Sequence, residues 1–294
     1  MSVHLAQPGV LGQIHGYGRS LNFRLAPGAD AKRGLGRFAD GFDLEWGAVG
    51  LGEPVVRAVG AEIPGLRTFP AFSGPGAVVP STQQSIWVFL RAPDRTALFD
   101  RSEAVKKLLG DAFPLSDAVD TFTYGEGRDL TGFIDGTENP EGDHSVAVAL
   151  CPSGHGRIGS SFVAVQRWVH DLKHFHGHSQ ADKDAMIGRR QDTNEEIEDA
   201  PISAHVKRAA QEDYEPAAFM VRRSMPWSNG MEQGLEFIAY GASLDAFEAV
   251  LRRMTGLDDG TVDALFRFSR PISGSYFWCP PAKGNRLDLS ALDL

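Results

Sequence analysis

A predicted strand followed directly by a predicted helix occurs twice in this sequence, and this repeat restricts the fold more than any other feature. The apolar run 85–90 is typical of a buried strand, and residues 94–109 carry the pattern of a helix. The run 235–240 again predicts a strand, and Ser243 is a suitable N-cap for a helix that ends at Gly256. The two units begin roughly 150 residues apart, which indicates an internal duplication.

The turn signals favour an antiparallel or mixed sheet, because hairpin signals outnumber the spacing that is typical of βαβ units. Further strands are predicted at residues 16–25 and 160–170. We therefore expect an α+β fold made of two ferredoxin-like halves, each with helices on one side of its sheet. The expected N-terminal half is residues 1–130, and the expected C-terminal half is residues 131–294.

Composition excludes several classes of partner. The net charge of −9 argues against nucleic acid and against an anionic membrane surface. The N-terminus lacks the basic and apolar regions of a secretory signal, and no run approaches the ~18 apolar residues that a membrane span needs. Cys151 and Cys279 are far apart and form no CxxC motif, so we expect two free thiols and a cytoplasmic protein.

The central run, residues 132–140, reads GFIDGTENP and combines an Asp-Gly turn with an Asn-Pro turn. One interpretation is a tight connector. The other is a loop whose backbone passes close to a flat ligand, because Gly132 and Gly136 remove side-chain bulk on both sides of Asp135. A carboxylate on such a loop is well placed to act on a small molecule.

The same run resembles the GxxDG signature of dye-decolorising peroxidases, haem peroxidases that use a distal Asp in place of a distal His. The resemblance extends from about Gly16 to about Pro281, and it is strongest to the short bacterial B-type members. It implies two ferredoxin-like halves whose antiparallel sheets form a barrel-like core, the dimeric α+β barrel type. It also implies one haem b per chain, bound in the C-terminal half beside Ile134, Asp135 and Gly136.

His205 is the iron ligand that the resemblance implies, since it follows an acidic loop and a Ser/Ala-rich approach, as the proximal His does in the family. Composition alone gives no reason to prefer it over the other histidines of the chain. An iron-bound imidazole needs an acceptor for its second nitrogen, and Asp263 is our candidate. A solvent-facing carboxylate at the start of a helix is the alternative for Asp263.

On the distal side the resemblance assigns Arg222, and not the adjacent Arg223, to the site. Ser224 stands where relatives often carry Asn, so the distal hydrogen bonds of this chain differ from the family pattern. Phe237 matches a distal aromatic residue that lies over the porphyrin, although it also fits an ordinary core position. Arg189 resembles an arginine that binds a haem propionate, with a charge at a helix C-terminus as the alternative.

Four histidines lie close together in one segment, at positions 170, 174, 176 and 178. Their alternation places them on one face only if the segment is a strand. A solvated turn is therefore the main interpretation and a metal site the alternative, and the family has no metal ligand here.

The resemblance implies reduction of hydrogen peroxide and oxidation of dyes, phenolics or similar small organic donors through a ferryl intermediate. Asp135 would move the proton and Arg222 would stabilise the departing oxygen. The charge of Arg222 would lower the pKa of Asp135 and burial would raise it, and the sequence does not rank these effects. The rival functions are iron release that leaves the porphyrin intact and a non-enzymatic haem carrier.

Large dyes do not fit a closed pocket, so electrons are expected to enter through surface aromatic residues, with Trp168, Trp227 and Tyr214 as unranked candidates. The family also implies a homo-oligomer. Residues 287–294 do not match the Gly/Ser/Leu/Ile tail of relatives that are packaged in a protein shell, and packaging stays open.

Overall fold

The computed structural model describes residues 3–12 and 16–294. Within these ranges the strands run in chain order as β1 (Tyr17–Phe23), β2 (Gly47–Leu51), β3 (Phe72–Ser73), β4 (Val78–Val79), β5 (Ile86–Ala92), β6 (Leu115–Phe122), β7 (Ser161–His170), β8 (Val221–Arg222), β9 (Met225–Ser228), β10 (Gln233–Gly241), β11 (Ser269–Pro271), β12 (Ser275–Cys279), β13 (Ala282–Lys283) and β14 (Arg286–Leu287). The α-helices of the same ranges are α1 (Pro8–Leu11), α2 (Ala31–Gly41), α3 (Glu53–Ala58), α4 (Arg95–Leu109), α5 (Gly142–Ala149), α6 (Leu172–His176), α7 (Gln180–Ile187), α8 (His205–Arg208) and α9 (Asp245–Met254).

The main sheet closes into an antiparallel barrel. Its strand order is β7-β12-β2-β5-β1-β6-β9-β10, and β10 pairs back to β7 to complete the ring. β11 and β8 extend the sheet from β7 and β10. Closure removes the unpaired strand edges that an open sheet would leave. The expected α+β fold with a barrel-like core is confirmed.

The two sets of strands share one connectivity. In the first set, β1, β2, β5 and β6 lie in the spatial order fourth-first-third-second, and in the second set β7, β9, β10 and β12 lie in the same order. This order and the crossover helices α4 and α9 are those of the ferredoxin-like motif. The two sets join through the pairs Trp278↔Leu51 and Thr121↔Trp227. The division of the chain at residue 130 stays a prediction, because the sheet is continuous between the sets.

β5 is buried on both faces, which explains its continuous apolar run. Trp87 and Phe89 pack inside the barrel with Tyr240 and Phe277. The alternate residues of β5 pack outward, in the core that lies under the helices. This alternation is the two-residue period of a strand.

Two local predictions are wrong. The N-cap of α9 is Leu244 and not Ser243, although the Ser243 hydroxyl still accepts a hydrogen bond of 3.2 Å from the Asp245 amide. The histidine segment is not a turn, since its central part forms α6, which is capped by Asp171. Within the described residues no helix is long and apolar enough to cross a membrane. Cys151 and Cys279 are both free and buried.

Candidate active site

A cavity lies on the outer face of the second set of strands. β7 and β10 form its floor, α9 covers one side, and the central glycine-rich run and α8 form the other walls. Most of the lining is apolar, so the few polar groups that line it can fix how an occupant is oriented.

His205 stands in the cavity wall at the start of α8, with its ring supported from behind by Asp263. The Nδ1 atom of His205 lies 2.8 Å from Asp263 Oδ2, and Asp263 itself is fully buried. Asp263 also accepts a hydrogen bond from the Leu265 amide, as the N-cap of a short 3₁₀ turn. Burial alone would lower the pKa of His205, but the Asp263 carboxylate outweighs burial and raises it. The bond fixes which ring nitrogen is left for the cavity.

Asp135 lines the same cavity and lies on the glycine-rich run. Gly132 and Gly136 both have positive φ angles, 88° and 77°. A Cβ atom at Gly132 would lie 2.4 Å from Gln191 Nε2, and one at Gly136 would lie 2.9 Å from Asn139 Nδ2. The two glycines are therefore required by the backbone conformation and by neighbouring side chains of the protein.

Arg222 enters the same cavity from β8, and its backbone is held by Asn139 of the glycine-rich run. The Arg222 amide donates to Asn139 Oδ1 at 2.8 Å, and Asn139 Nδ2 donates to the Arg222 carbonyl at 3.1 Å. The guanidinium Nε of Arg222 is buried and has no hydrogen-bond partner among the described residues. An unpaired buried donor is costly, which suits a site that awaits an oxygen-rich partner.

The carboxyl of Asp135 has a raised pKa. Burial is the main cause, and the positive charge of Arg222 opposes it without cancelling it. The nearby Asp129 carboxylate adds to the upward shift. The sequence alone does not show whether burial or the charge of Arg222 has the larger effect on the pKa of Asp135. In the structure, burial has the larger effect.

A second cavity adjoins the first and shares Asp135 and Arg222 with it. Gly136 and Ser224 line this second cavity. Ser224 is buried, and its hydroxyl oxygen accepts a hydrogen bond of 3.3 Å from the Ile238 amide.

Ile134 and Phe237 both line the main cavity. Ile134 is among the exposed large apolar residues, and Phe237 packs against Phe247 with 5.9 Å between ring centroids.

Arg189 lies away from both linings and is already paired. Its guanidinium donates to Glu138, to Glu196 and to the Asn194 carbonyl. The role of Arg189 in binding a haem propionate stays a prediction. That role would require its guanidinium to bind the propionate in addition to Glu138 and Glu196, or in their place.

The sequence interpretation missed several polar groups of the cavity lining, among them Asp129, His170 and Ser269, and the hydrogen bonds that Asn139 makes to Arg222. The Nε2 atom of His170 lies 3.1 Å from Asp129 Oδ2. No local pattern distinguishes His170 from the three histidines that follow it. His174 and His178 instead contact each other outside the cavity, and no group of three potential metal ligands occurs in the described ranges.

Two of the three aromatic residues expected at the surface are not there. Trp168 is 4% exposed and Trp227 is 2% exposed, so both are buried in the folded chain. Tyr214 is half-buried and reaches the surface, with its hydroxyl 3.1 Å from the Arg208 carbonyl in α8.

Comparisons with known proteins agree with this geometry. The family model described as Dyp-type peroxidase, C-terminal matches residues 126–284, more than half of the chain. A dye-decolorizing peroxidase of Rhodococcus erythropolis is 31% identical over 281 residues, which cover 93% of this chain and 78% of that protein. A dye-decolorizing peroxidase of Mycobacterium tuberculosis is also 31% identical, over 73% of this chain and 66% of that protein, slightly less than two thirds of its length.

A solved structure of a DypB variant from Rhodococcus jostii RHA1, in complex with heme, superposes with a TM-score of 0.86 at 26% identity. The superposition covers 92% of this chain and 95% of that one. Together, the extent of the family match, the relative aligned over nearly the whole chain and the shared barrel show that this chain belongs to the Dyp-type peroxidase family.

Proposed function

We propose that this protein is a haem peroxidase that reduces hydrogen peroxide with electrons from dyes, phenolics or similar small organic donors. One haem b per chain would occupy the main cavity. The observation that carries the proposal is His205, an imidazole in the wall of an apolar cavity, backed by the buried carboxylate of Asp263 and sharing that cavity with Asp135 and Arg222.

The residues present fit a haem group. A large cavity with mostly apolar walls suits a porphyrin. A histidine whose second ring nitrogen is bonded to a carboxylate is the usual arrangement of an iron-ligating imidazole. The orphaned Nε of Arg222 offers a donor to an oxygen-rich occupant. His205 would hold the iron and Asp263 would orient the ring.

When bound, haem supplies the redox-active iron at which peroxide accepts two electrons. Asp135 contributes a carboxyl that can take and return a proton, and its raised pKa brings it closer to neutrality, where proton transfer is most efficient. Arg222 contributes a fixed positive charge beside it, which stabilises negative charge on the departing oxygen.

Stopped-flow mixing with peroxide tests these roles. We expect Arg222→Leu to slow the peroxide step at least as much as Asp135→Asn, because Arg222 acts on developing charge directly and a water can partly replace Asp135. Removing a preorganised donor costs ~10²–10³ in rate, and removing an acid–base group costs ~10²–10⁴. Both variants should retain haem.

Arg57→Leu is the control, because the exposed Arg57 of α3 pairs with Glu53 and belongs to neither cavity lining. It should react at the wild-type rate. Wild-type rates in both Asp135→Asn and Arg222→Leu would contradict a peroxidase site and favour a haem carrier.

We further infer that the protein is cytoplasmic and homo-oligomeric. The two free thiols support a reducing compartment. Tyr214 is our candidate for electron entry from donors too large for the cavity, because its ring reaches the surface and its hydroxyl contacts α8.

A further inference from the structure

A chain of three side chains, the buried Ser269 and His170 and the partly buried Asp129, lines the main cavity beside the glycine-rich run. The Ser269 Oγ atom lies 2.6 Å from His170 Nδ1, and His170 Nε2 lies 3.1 Å from Asp129 Oδ2. His170 is 4% exposed and Ser269 is 2% exposed, so the bond between them is shielded from water. The assigned roles of Asp135, Arg222 and His205 do not use this chain.

The β-sheet fixes the position of the Ser269–His170 end of this series of side chains. His170 ends β7 and Ser269 begins β11, and the two residues are paired across the ladder. Both ring nitrogens of His170 are engaged, which fixes the orientation of the ring. The ring therefore presents Nε2 to Asp129 from a rigid part of the barrel.

Asp129 forms several hydrogen bonds that hold the first part of the glycine-rich run in place. Its Oδ1 atom accepts from the Thr131 amide at 2.8 Å and from the Thr131 hydroxyl at 2.6 Å. Its amide donates to the Phe133 carbonyl, and its carbonyl accepts from the Gly132 amide. Asp135 follows two residues after Phe133, so the position of Asp129 sets the path of the backbone into Asp135.

We propose that His170, held by Ser269, is a positioning residue that fixes Asp129 and through it the carboxylate of Asp135. The inference rests on the proposed peroxidase function, because it gives Asp135 a catalytic position that must be maintained. A misplacement of about 1 Å at a reacting group can cost about 10²-fold in rate. Burial opposes ionisation of Asp129, but the bond from His170 outweighs it and lowers the pKa of Asp129, which keeps the contact charge-assisted.

The test compares His170→Phe, which keeps a ring but removes both bonds, with His170→Gln, whose amide can donate to Asp129. Hydrogen exchange of the holoprotein should be faster in His170→Phe at the amides of Gly132 and Asp135, which bond to the Asp129 and Gly127 carbonyls. The peroxide step should slow by about 10²-fold, and His170→Gln should restore most of both losses.

A double-mutant cycle separates positioning from general damage. Once Asp135→Asn has removed the carboxylate, adding His170→Phe should slow the peroxide step little further, because the two changes act through one group. Ser269→Ala provides a milder variant that keeps the Asp129 contact, and it should show a smaller effect in the same direction. His176→Phe, at an exposed position of α6, is the control and should match the wild type.

Unchanged amide exchange in both His170→Phe and Ser269→Ala would overturn the inference. So would a full, additive loss of rate in the double variant. A wild-type rate in Asp135→Asn alone would instead contradict the proposed function, while the exchange measurement would still decide whether His170 positions the run.

Discussion

At the scale of single residues, the burial of Asp135 makes its ionised carboxyl unfavourable for folding. Its folded-state pKa is raised, chiefly by burial, so the folded protein binds this proton more tightly than the unfolded chain does. Between the ordinary pKa of an aspartate, about 3.9, and the raised pKa of Asp135, the contribution of Asp135 to the free energy of unfolding therefore falls as pH increases. Above the raised value the ionised group is a constant cost to folding.

Asp135→Asn should accordingly increase the free energy of unfolding near neutral pH, by ~1 kcal/mol, the usual size for a stabilising substitution. The gain should shrink as pH is lowered, because the wild-type carboxyl then becomes protonated in the folded state. Urea unfolding of both proteins near pH 8 and near pH 5 checks this. A gain that grows toward acid would show that the pKa of Asp135 is lowered instead.

At the scale of elements, the Asn-Pro turn of the glycine-rich run holds a strand in place. β8 has only two residues and pairs with β10 through Arg222 and Val221. The side-chain amide of Asn139 supplies a second pair of hydrogen bonds to the Arg222 backbone, on the other side of β8. The run that carries Asp135 thus also positions Arg222, so one segment sets both groups.

Asn139→Ala should lower the free energy of unfolding by ~1–3 kcal/mol, because the net contribution of each of its two hydrogen bonds is ~0.5–1.5 kcal/mol. It should also slow the peroxide step without removing haem. Thr137→Ala is the control, since Thr137 lies in the same run, is exposed and contacts only Asn194 in the described hydrogen bonds. Equal effects of the two substitutions would contradict a specific role for Asn139.

At the scale of the whole molecule, an ion-pair network joins the two sets of strands. Arg167 on β7 binds Asp117 on β6 at 2.7 Å and the buried Glu236 on β10 at 3.1 Å. Burial raises the pKa of Glu236, and the charge of Arg167 opposes that shift. Glu236 thus depends on Arg167 for a compensating charge.

Arg167→Leu should lower the free energy of unfolding by ~3–5 kcal/mol, because it leaves the buried Glu236 without a compensating charge. The double variant Arg167→Leu, Glu236→Leu should lose less, since no uncompensated charge remains. Asp117→Ala removes a half-exposed partner, and we expect a loss of at most ~1 kcal/mol. Denaturant unfolding would decide, and a double variant less stable than Arg167→Leu would refute this account.

The sequence by itself determined the elements whose signals are local. β5, α4, β7 and β10 lie where the apolar patterns predict them. Such signals depend on side chains a few residues apart, which share one face or one turn. The glycines around Asp135 belong to this class, because their positive φ angles are set within the run.

Only the tertiary structure decided how these elements combine at the site. The Asp263 carboxylate reaches His205 across 58 positions of the chain, and Asn139 reaches Arg222 across 83. Burial of Asp135, the engagement of Arg189 by two glutamates and the separation of His170 from its neighbouring histidines depend on the same long-range packing. Burial and electrostatic coupling arise from what the folded chain places nearby, and no local pattern encodes that.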